Sequence, residues 1–228
     1  MQIAIILAAG DSQRIREVNK IFYPIKGKPL IFYTISAFEK HPKIGKIILV
    51  VKSADFRKIF SLIKRLKFKK IVTLVKGGKK RQDSAFNGLK AAGKLGAKTG
   101  DLILFHNGSN PLISQKEITD VIQAAKKYKV ALVAQPARDT IKEKDKNGFV
   151  VRTINREKIF LAQTPQAIEY TLAKRAFEKA LAEKFYGTDD VSLVERLGVK
   201  PNIVQASSKN IKVTYLEDLK FVENQLSR

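Results

Sequence analysis

Five short apolar runs recur along the chain: QIAIIL at 2 to 7, KIILVV at 46 to 51, KIVTLV at 70 to 75, DLILF at 101 to 105 and VALVAQ at 130 to 135. They are continuous rather than alternating, and a strand apolar at nearly every position needs cover on both faces, as strands inside a parallel sheet do. Between the runs lie segments with helical spacing, among them Phe56, Ile59, Phe60 and Ile63, then Ile118, Val121, Ile122 and Ala125. Ser114 with Glu117 makes a capping box that opens the second of these. Alternating strands and helices predict an α/β doubly wound, mostly parallel sheet of Rossmann-like form, with ligands outside the carboxyl ends of its strands.

The alternation breaks between about 138 and 160, where TIKEK and FVVRTI flank a charged turn holding Asn147 and Gly148. That pattern predicts a β-hairpin arm. Its few apolar residues cannot form a core, so the arm is expected to pack on a second subunit. A helix over 171–184, a turn at YGTDDVS, a short helix to Leu197 and a strand over 202–206 follow. Thr214 and Glu217 make a second capping box for a last helix with Leu219, Val222 and Leu226 inward. With 228 residues, 44% of them hydrophobic, the chain is expected to form a single domain over 1–228 with the arm as its appendage.

The absence of cysteine excludes disulfides, thiolate zinc sites and cysteine nucleophiles, and two histidines, His41 and His106, are too few for a histidine metal cluster. Chemistry falls to Lys, Arg, Asp, Thr and backbone amides. No run reaches the roughly 18 apolar residues of a membrane span, and MQIAIILAAG lacks a signal peptide's basic leader, so a soluble, cytoplasmic protein is expected. The net charge of +23 invites a polyanionic partner: nucleic acid, an anionic membrane or small phosphates. The cations are spread, with short clusters at 64–70 and 76–80, and lack the basic tail or aromatic-interleaved stripe expected of a nucleic-acid binder.

The first run ends in LAAGDSQR, so Ala8, Ala9 and Gly10 form a small-residue loop whose amides can approach a phosphate or a base, with Arg14 and Lys20 placed to neutralise a triphosphate. Neither the Walker nor the Rossmann glycine spacing is present. The loop, Lys20, GKPL at 27–30, GGKKRQDSAFNGL at 77–89, PARDTIK at 136–142, TINR at 153–156, QTPQ at 163–166, TDD at 188–190 and NIKVT at 210–214 resemble, in order and spacing, the 2-C-methyl-D-erythritol 4-phosphate cytidylyltransferase family. The likeness spans the chain, and ribitol 5-phosphate cytidylyltransferases are similar.

The resemblance implies a nucleotidyltransferase fold and cytidylyl transfer from CTP, with Mg²⁺ or another divalent cation, to a polyol phosphate. Arg14, Lys20, Arg156 and Lys212 match the catalytic cations, the last two also positioning the acceptor phosphate. Ala8, Ala9, Gly10, Gly78, Arg81, Ser84 and Asn107 match the CTP-binding set. A competing reading of Arg81 is a helix-start residue with a solvated tip. Thr140, Thr164 and Thr188 match acceptor contacts, while Asp139 and Asp189 could equally cap turns. Because Thr140 and Arg156 flank the arm, the resemblance implies a homodimer in which they enter the neighbouring subunit's site.

The chain departs from the family pattern in FHNGSNPL at 105–112. The family has Asp where Asn107 stands and Arg where Asn110 stands, and a glycine in place of Ser12. Asn107 keeps an oxygen for a metal but loses the charge that hard cations prefer. Asn110 cannot offer the arginine fork. Three readings stay open here: a methylerythritol-phosphate enzyme with a rebalanced site, a relative acting on another polyol or sugar phosphate, or an impaired homologue kept for binding. A basic nucleic-acid-binding protein is the rival from another class.

Overall fold

The computed structural model describes residues 1–10 and 19–227. In chain order its elements are β1 (Gln2–Ala8), β2 (Pro24–Ile25), β3 (Lys28–Pro29), α1 (Leu30–Lys40), β4 (Lys46–Val51), α2 (Phe56–Leu66), β5 (Ile71–Lys76), α3 (Arg81–Lys94) and β6 (Leu102–Asn107). Then come α4 (Gln115–Tyr128), β7 (Val130–Pro136), β8 (Ile141–Lys144), β9 (Val150–Ile154), β10 (Phe160–Glu169), α5 (Tyr170–Ala182), α6 (Val191–Glu195), β11 (Asn202–Gln205) and α7 (Leu216–Gln225). Seven strands form one sheet in the order β11-β7-β10-β6-β1-β4-β5. The fold is the expected α/β, mostly parallel sheet with flanking helices.

Each of the five apolar runs is a strand of this sheet, and both faces are covered. Alternate residues of β1 enter opposite cores: Ala4 and Ile6 join Ile31, Ile35, Phe38 and Ile118, while Ile3 and Ile5 join Leu89, Phe105 and Phe177. Each large apolar side chain buried this way contributes about 1.5–3 kcal/mol. A third cluster of Ile25, Leu30, Val213, Leu219 and Val222 packs α7 and the 210–214 segment onto β2 and the start of α1.

The strand not foreseen is β10, which runs antiparallel to both β6 and β7 in the middle of the sheet. Its sequence, FLAQTPQAIE, carries a proline that cannot donate to a ladder. The pairing with β7 shifts register between Ala162 and Gln166, and this irregularity takes up Thr164 and Pro165. Two local expectations are also corrected. Phe60 points outward, 53% exposed, and Ile59 with Leu62 forms the inner face of α2. The last helix is capped one position later than expected: Asp218, not Glu217, accepts from the Thr214 and Tyr215 amides at 2.6 and 2.9 Å.

The Ser114–Glu117 box is as expected, with the Ser114 amide donating to Glu117 Oε2 at 2.8 Å and the Glu117 amide to Ser114 Oγ at 3.2 Å. β8 and β9 form the predicted antiparallel hairpin, turning through Gly148 at φ +93°. Among the described residues no helix is long and apolar enough to cross a membrane.

Candidate active site

The parallel strands β1, β4 and β6 deliver their carboxyl ends side by side, and the backbone ties them there. The Gly108 amide donates to the Leu7 carbonyl at 2.8 Å, and the Gly77 amide to the Val51 carbonyl at 2.9 Å. The turn before α3 presses against the first loop, since a Cβ on Gly77 would lie 2.3 Å from Ala9 Cβ and one on Gly78 would lie 2.3 Å from Asp83 Cβ. Only glycine permits an approach that close.

These ends open into a cavity of about 610 Å³ lined by Ala8, Ala9, Gly10, Lys20, Gly78, Arg81, Ser84, Asn107 and Lys212 of the sequence-derived set, and also by Lys52, Lys79 and Lys80. A neighbouring cavity of about 460 Å³ is lined by Asn110, Gln163, Thr164, Gln166, Thr188 and Asp189. Arg81, Asn107 and Lys212 belong to both. The result is one two-lobed cleft, with these three residues at the junction.

Lys20 and Lys212 both line the larger lobe, tied through Val213, the residue that follows Lys212. Val213 is fully buried in the third core cluster, its amide donating to the Ser109 carbonyl at 2.9 Å. The Lys20 ammonium donates to the Val213 carbonyl at 3.0 Å. Packing of α7 therefore sets the position of both cations.

Arg81 is not the solvated helix-start residue of the competing reading. Its two terminal nitrogens donate to the Asp190 carboxylate at 2.9 and 2.6 Å, and Nε donates to Asn107 Oδ1 at 3.4 Å. Burial pulls the guanidinium pKa down, but Asp190 outweighs it and holds the group above its ordinary value. Asn107 in turn donates from its amide group to Asn110 Oδ1 at 3.2 Å and Thr164 Oγ1 at 3.5 Å. The Gln166 side chain extends the network behind Asp190, accepting from the Asp190 and Val191 amides and donating to Asp189 at 2.8 Å.

Ser84 lies in the nucleotide lobe, but its hydroxyl is engaged with the turn: it accepts from the Gly78 amide at 3.0 Å and donates to the Lys80 carbonyl at 3.2 Å. Asp189 is a cap, its carboxylate accepting from the Ser192 amide at 3.0 Å. Thr140 and Arg156 are exposed on and beside the arm and line neither lobe; Arg156 donates to the Arg138 carbonyl. Arg14, like Ser12, lies outside the described residues. His106, just behind Asn107, is fully buried, and burial lowers its pKa to about 4. It is neutral at physiological pH, its Nε2–H donates to the Asn110 carbonyl at 3.0 Å, and it lines neither lobe of the cleft.

Sequence reasoning missed the part played by Asp190 and Gln166. Both stand in the motifs TDD and QTPQ, but nothing in a linear motif reveals that Asp190 clamps Arg81 from 109 residues away while Gln166 holds the Asp190 amide. No group of three or more His, Cys, Asp or Glu able to hold a metal occurs among the described residues. The donor set at the junction offers one neutral oxygen, Asn107 Oδ1, and Arg81 occupies it.

A doubly wound sheet whose strand ends open into a cationic, two-lobed cleft is the architecture of a nucleotidyltransferase. The profile of the 2-C-methyl-D-erythritol 4-phosphate cytidylyltransferases, IspD, matches residues 2–228. The chain belongs to that family. Enzymes of that name from Syntrophus aciditrophicus and Clostridium perfringens are 37% and 39% identical to it over 228 and 223 residues, covering 99% and 97% of this chain and 96% and 97% of theirs. Among solved structures, the 4-diphosphocytidyl-2C-methyl-D-erythritol synthase of Anaerococcus prevotii superposes with a TM-score of 0.87 at 32% identity, covering 100% of this chain and 96% of its own. The Francisella tularensis cytidylyltransferase follows at 0.81 and 30%, covering 98% and 99%.

Proposed function

We propose that this enzyme transfers the cytidylyl group of CTP to 2-C-methyl-D-erythritol 4-phosphate and releases pyrophosphate, a step toward isoprenoid precursors. The observation that carries the reading is the shared wall of Arg81, Asn107 and Lys212 between the two lobes, in a chain matched over residues 2–228 by that family. Family membership supports methylerythritol phosphate over ribitol 5-phosphate as acceptor.

CTP occupies the larger lobe, with its base and ribose toward Gly10, Gly78 and Ser84 and its phosphates toward Lys20 and Arg14. The acceptor fills the smaller lobe, against Thr164 and Thr188. An oxygen of its phosphate attacks the α-phosphorus, the bond from that phosphorus to the bridging oxygen breaks, and pyrophosphate departs with the electron pair. An ionised phosphate is already a nucleophile, so no protein base is needed. Lys20 and Lys212 stabilise charge on the phosphorus oxygens from fixed positions. A divalent cation such as Mg²⁺, carried on the CTP triphosphate, would supply further neutralisation of charge on the phosphates.

Thr140 and Arg156 act across a homodimer. The apolar tip of the arm supports this, with Phe149, Val150 and Val151 at 73%, 60% and 59% exposure. The same reading places the enzyme in the cytoplasm, where CTP is available.

The test is pyrophosphate release with CTP and Mg²⁺, comparing methylerythritol 4-phosphate, ribitol 5-phosphate and no acceptor, with Arg14→Ala as control. Release confined to methylerythritol phosphate and lost in the control is expected. Release with ribitol phosphate alone, or silence with every acceptor, overturns the reading.

A further inference from the structure

The nucleotide lobe is walled, among its described residues, by six cations, Lys20, Lys52, Lys79, Lys80, Arg81 and Lys212, and by no carboxylate. Such a wall binds a polyanionic substrate well, but the departing pyrophosphate is a polyanion too. A cleft that only attracts would hold its product. The counter-charge comes from behind the wall: the Asp190 carboxylate, 1% exposed, takes both terminal nitrogens of Arg81 at 2.9 and 2.6 Å. The carboxylate is anchored at the start of α6, with its own backbone amide held by Gln166 Oε1 at 2.9 Å. Arg81 is thereby held with Nε on Asn107 Oδ1 at 3.4 Å, at the junction of the lobes.

We propose that Asp190 is a positioning residue that limits how tightly the cleft grips polyphosphate: it cancels the Arg81 charge and holds the guanidinium on Asn107, so that pyrophosphate leaves after transfer. The turnover part of this proposal rests on the function proposed above, while the binding part requires only that the lobe take CTP and pyrophosphate. A bidentate arginine pair is the geometry that fixes both the direction and the charge of the guanidinium, and a carboxamide in place of the carboxylate loses both.

The experiment is Asp190→Asn, read by calorimetric binding of CTP and of inorganic pyrophosphate without acceptor, by kcat and acceptor KM, and by thermal melting. One uncompensated positive charge in the wall should tighten CTP and pyrophosphate binding by about tenfold. Turnover should fall and acceptor KM rise as Arg81 leaves Asn107. A merely structural Asp190 would move everything the other way, weakening both ligands along with the melting temperature. A folded variant with unchanged or weaker pyrophosphate binding overturns the proposal.

If Asp190→Asn does not fold, the pair Arg81→Gln with Asp190→Asn restores local neutrality. Pyrophosphate affinity within about twofold of the parent then supports cancellation, whereas a large loss means that Arg81 was already engaged with phosphate and overturns it. Should the parent protein release no pyrophosphate with methylerythritol phosphate while Asp190→Asn still binds pyrophosphate more tightly, the functional reading fails and the role of Asp190 stands.

Discussion

Gly77 and Ala9 stand so close that a Cβ on the glycine would lie 2.3 Å from that of the alanine, so the turn before α3 and the loop after β1 share one contact at the cleft floor. Both atoms would be fixed to backbone, and no side-chain rotation relieves the overlap. Gly77→Ala should therefore push the 76–80 turn away from the first loop, at a cost of about 1–3 kcal/mol of stability. CTP binding should weaken more than acceptor binding, because the displaced turn carries Gly78 and Arg81 into the nucleotide lobe. Chemical denaturation together with calorimetry against CTP checks both. Unchanged CTP affinity in a destabilised variant would show that the turn does not shape the nucleotide lobe.

His106 gives a pH signature of folding. Its pKa falls to about 4 in the folded chain because burial disfavours the imidazolium, with the Arg81 charge adding to the effect. Unfolded, the ring titrates near 6.5. The unfolded state therefore takes up a proton first as pH drops, and the contribution of the neutral ring is complete above about 6.5 and lost as pH falls toward 4, for a total of about 3 kcal/mol. His106→Asn should flatten the stability profile in that window relative to the parent, measured as the difference between their urea midpoints. Parallel profiles from pH 4 to 7 would show that His106 does not titrate between the states.

The fold was legible wherever a signal was local. The five apolar runs, the Ser114–Glu117 box and the turn at Gly148 each carry their structure in adjacent residues. β10 was not, because Thr164 and Pro165 interrupt its pattern at the point where its register shifts, and only neighbours on both sides make it a strand. The candidate site divides the same way. Gly78, Lys20 and Lys212 could be named from motifs, yet the hydrogen-bond network joining Asn107, Arg81, Asp190 and Gln166 links positions 81, 107, 166 and 190, and spacing along a chain does not encode such contacts. The two asparagines read as losses in the sequence. In the fold they are partners, the Asn107 amide donating to Asn110 Oδ1 at 3.2 Å.

Lys20 and Lys212 lie on either side of Val213 in the bonding scheme, and their removal should have different signatures. Lys20→Met removes a fixed charge from the nucleotide lobe alone and should lower kcat by about a hundredfold, the usual loss for one preorganised donor to a developing negative charge. Lys212 lines both lobes, so Lys212→Met should lower kcat and also raise the acceptor KM. Initial rates with each substrate varied in turn separate the cases. Identical effects on both KM values in both variants would place the two ammonium groups at the same phosphate.

The arm supplies the most decisive test of how the site is completed. Thr140 and Arg156 line neither lobe of their own chain, so a role for them in transfer requires a second copy, and the exposed Phe149, Val150 and Val151 are the surface by which that copy would be held. Lys20→Met and Arg156→Ala should each be nearly inactive alone. In a dimer of one chain of each kind, one site combines both defects while the other draws an intact Lys20 from one chain and an intact Arg156 from its partner. Random exchange makes half of the dimers mixed, so an equal mixture of the two inactive proteins should recover about a quarter of the parent activity. Phe149→Asp, which charges the apolar tip, should abolish both the dimer in sedimentation and the recovered activity. A mixture that stays inactive after demonstrated subunit exchange, or an active monomer in the ultracentrifuge, would mean that Arg156 does not complete its neighbour's site.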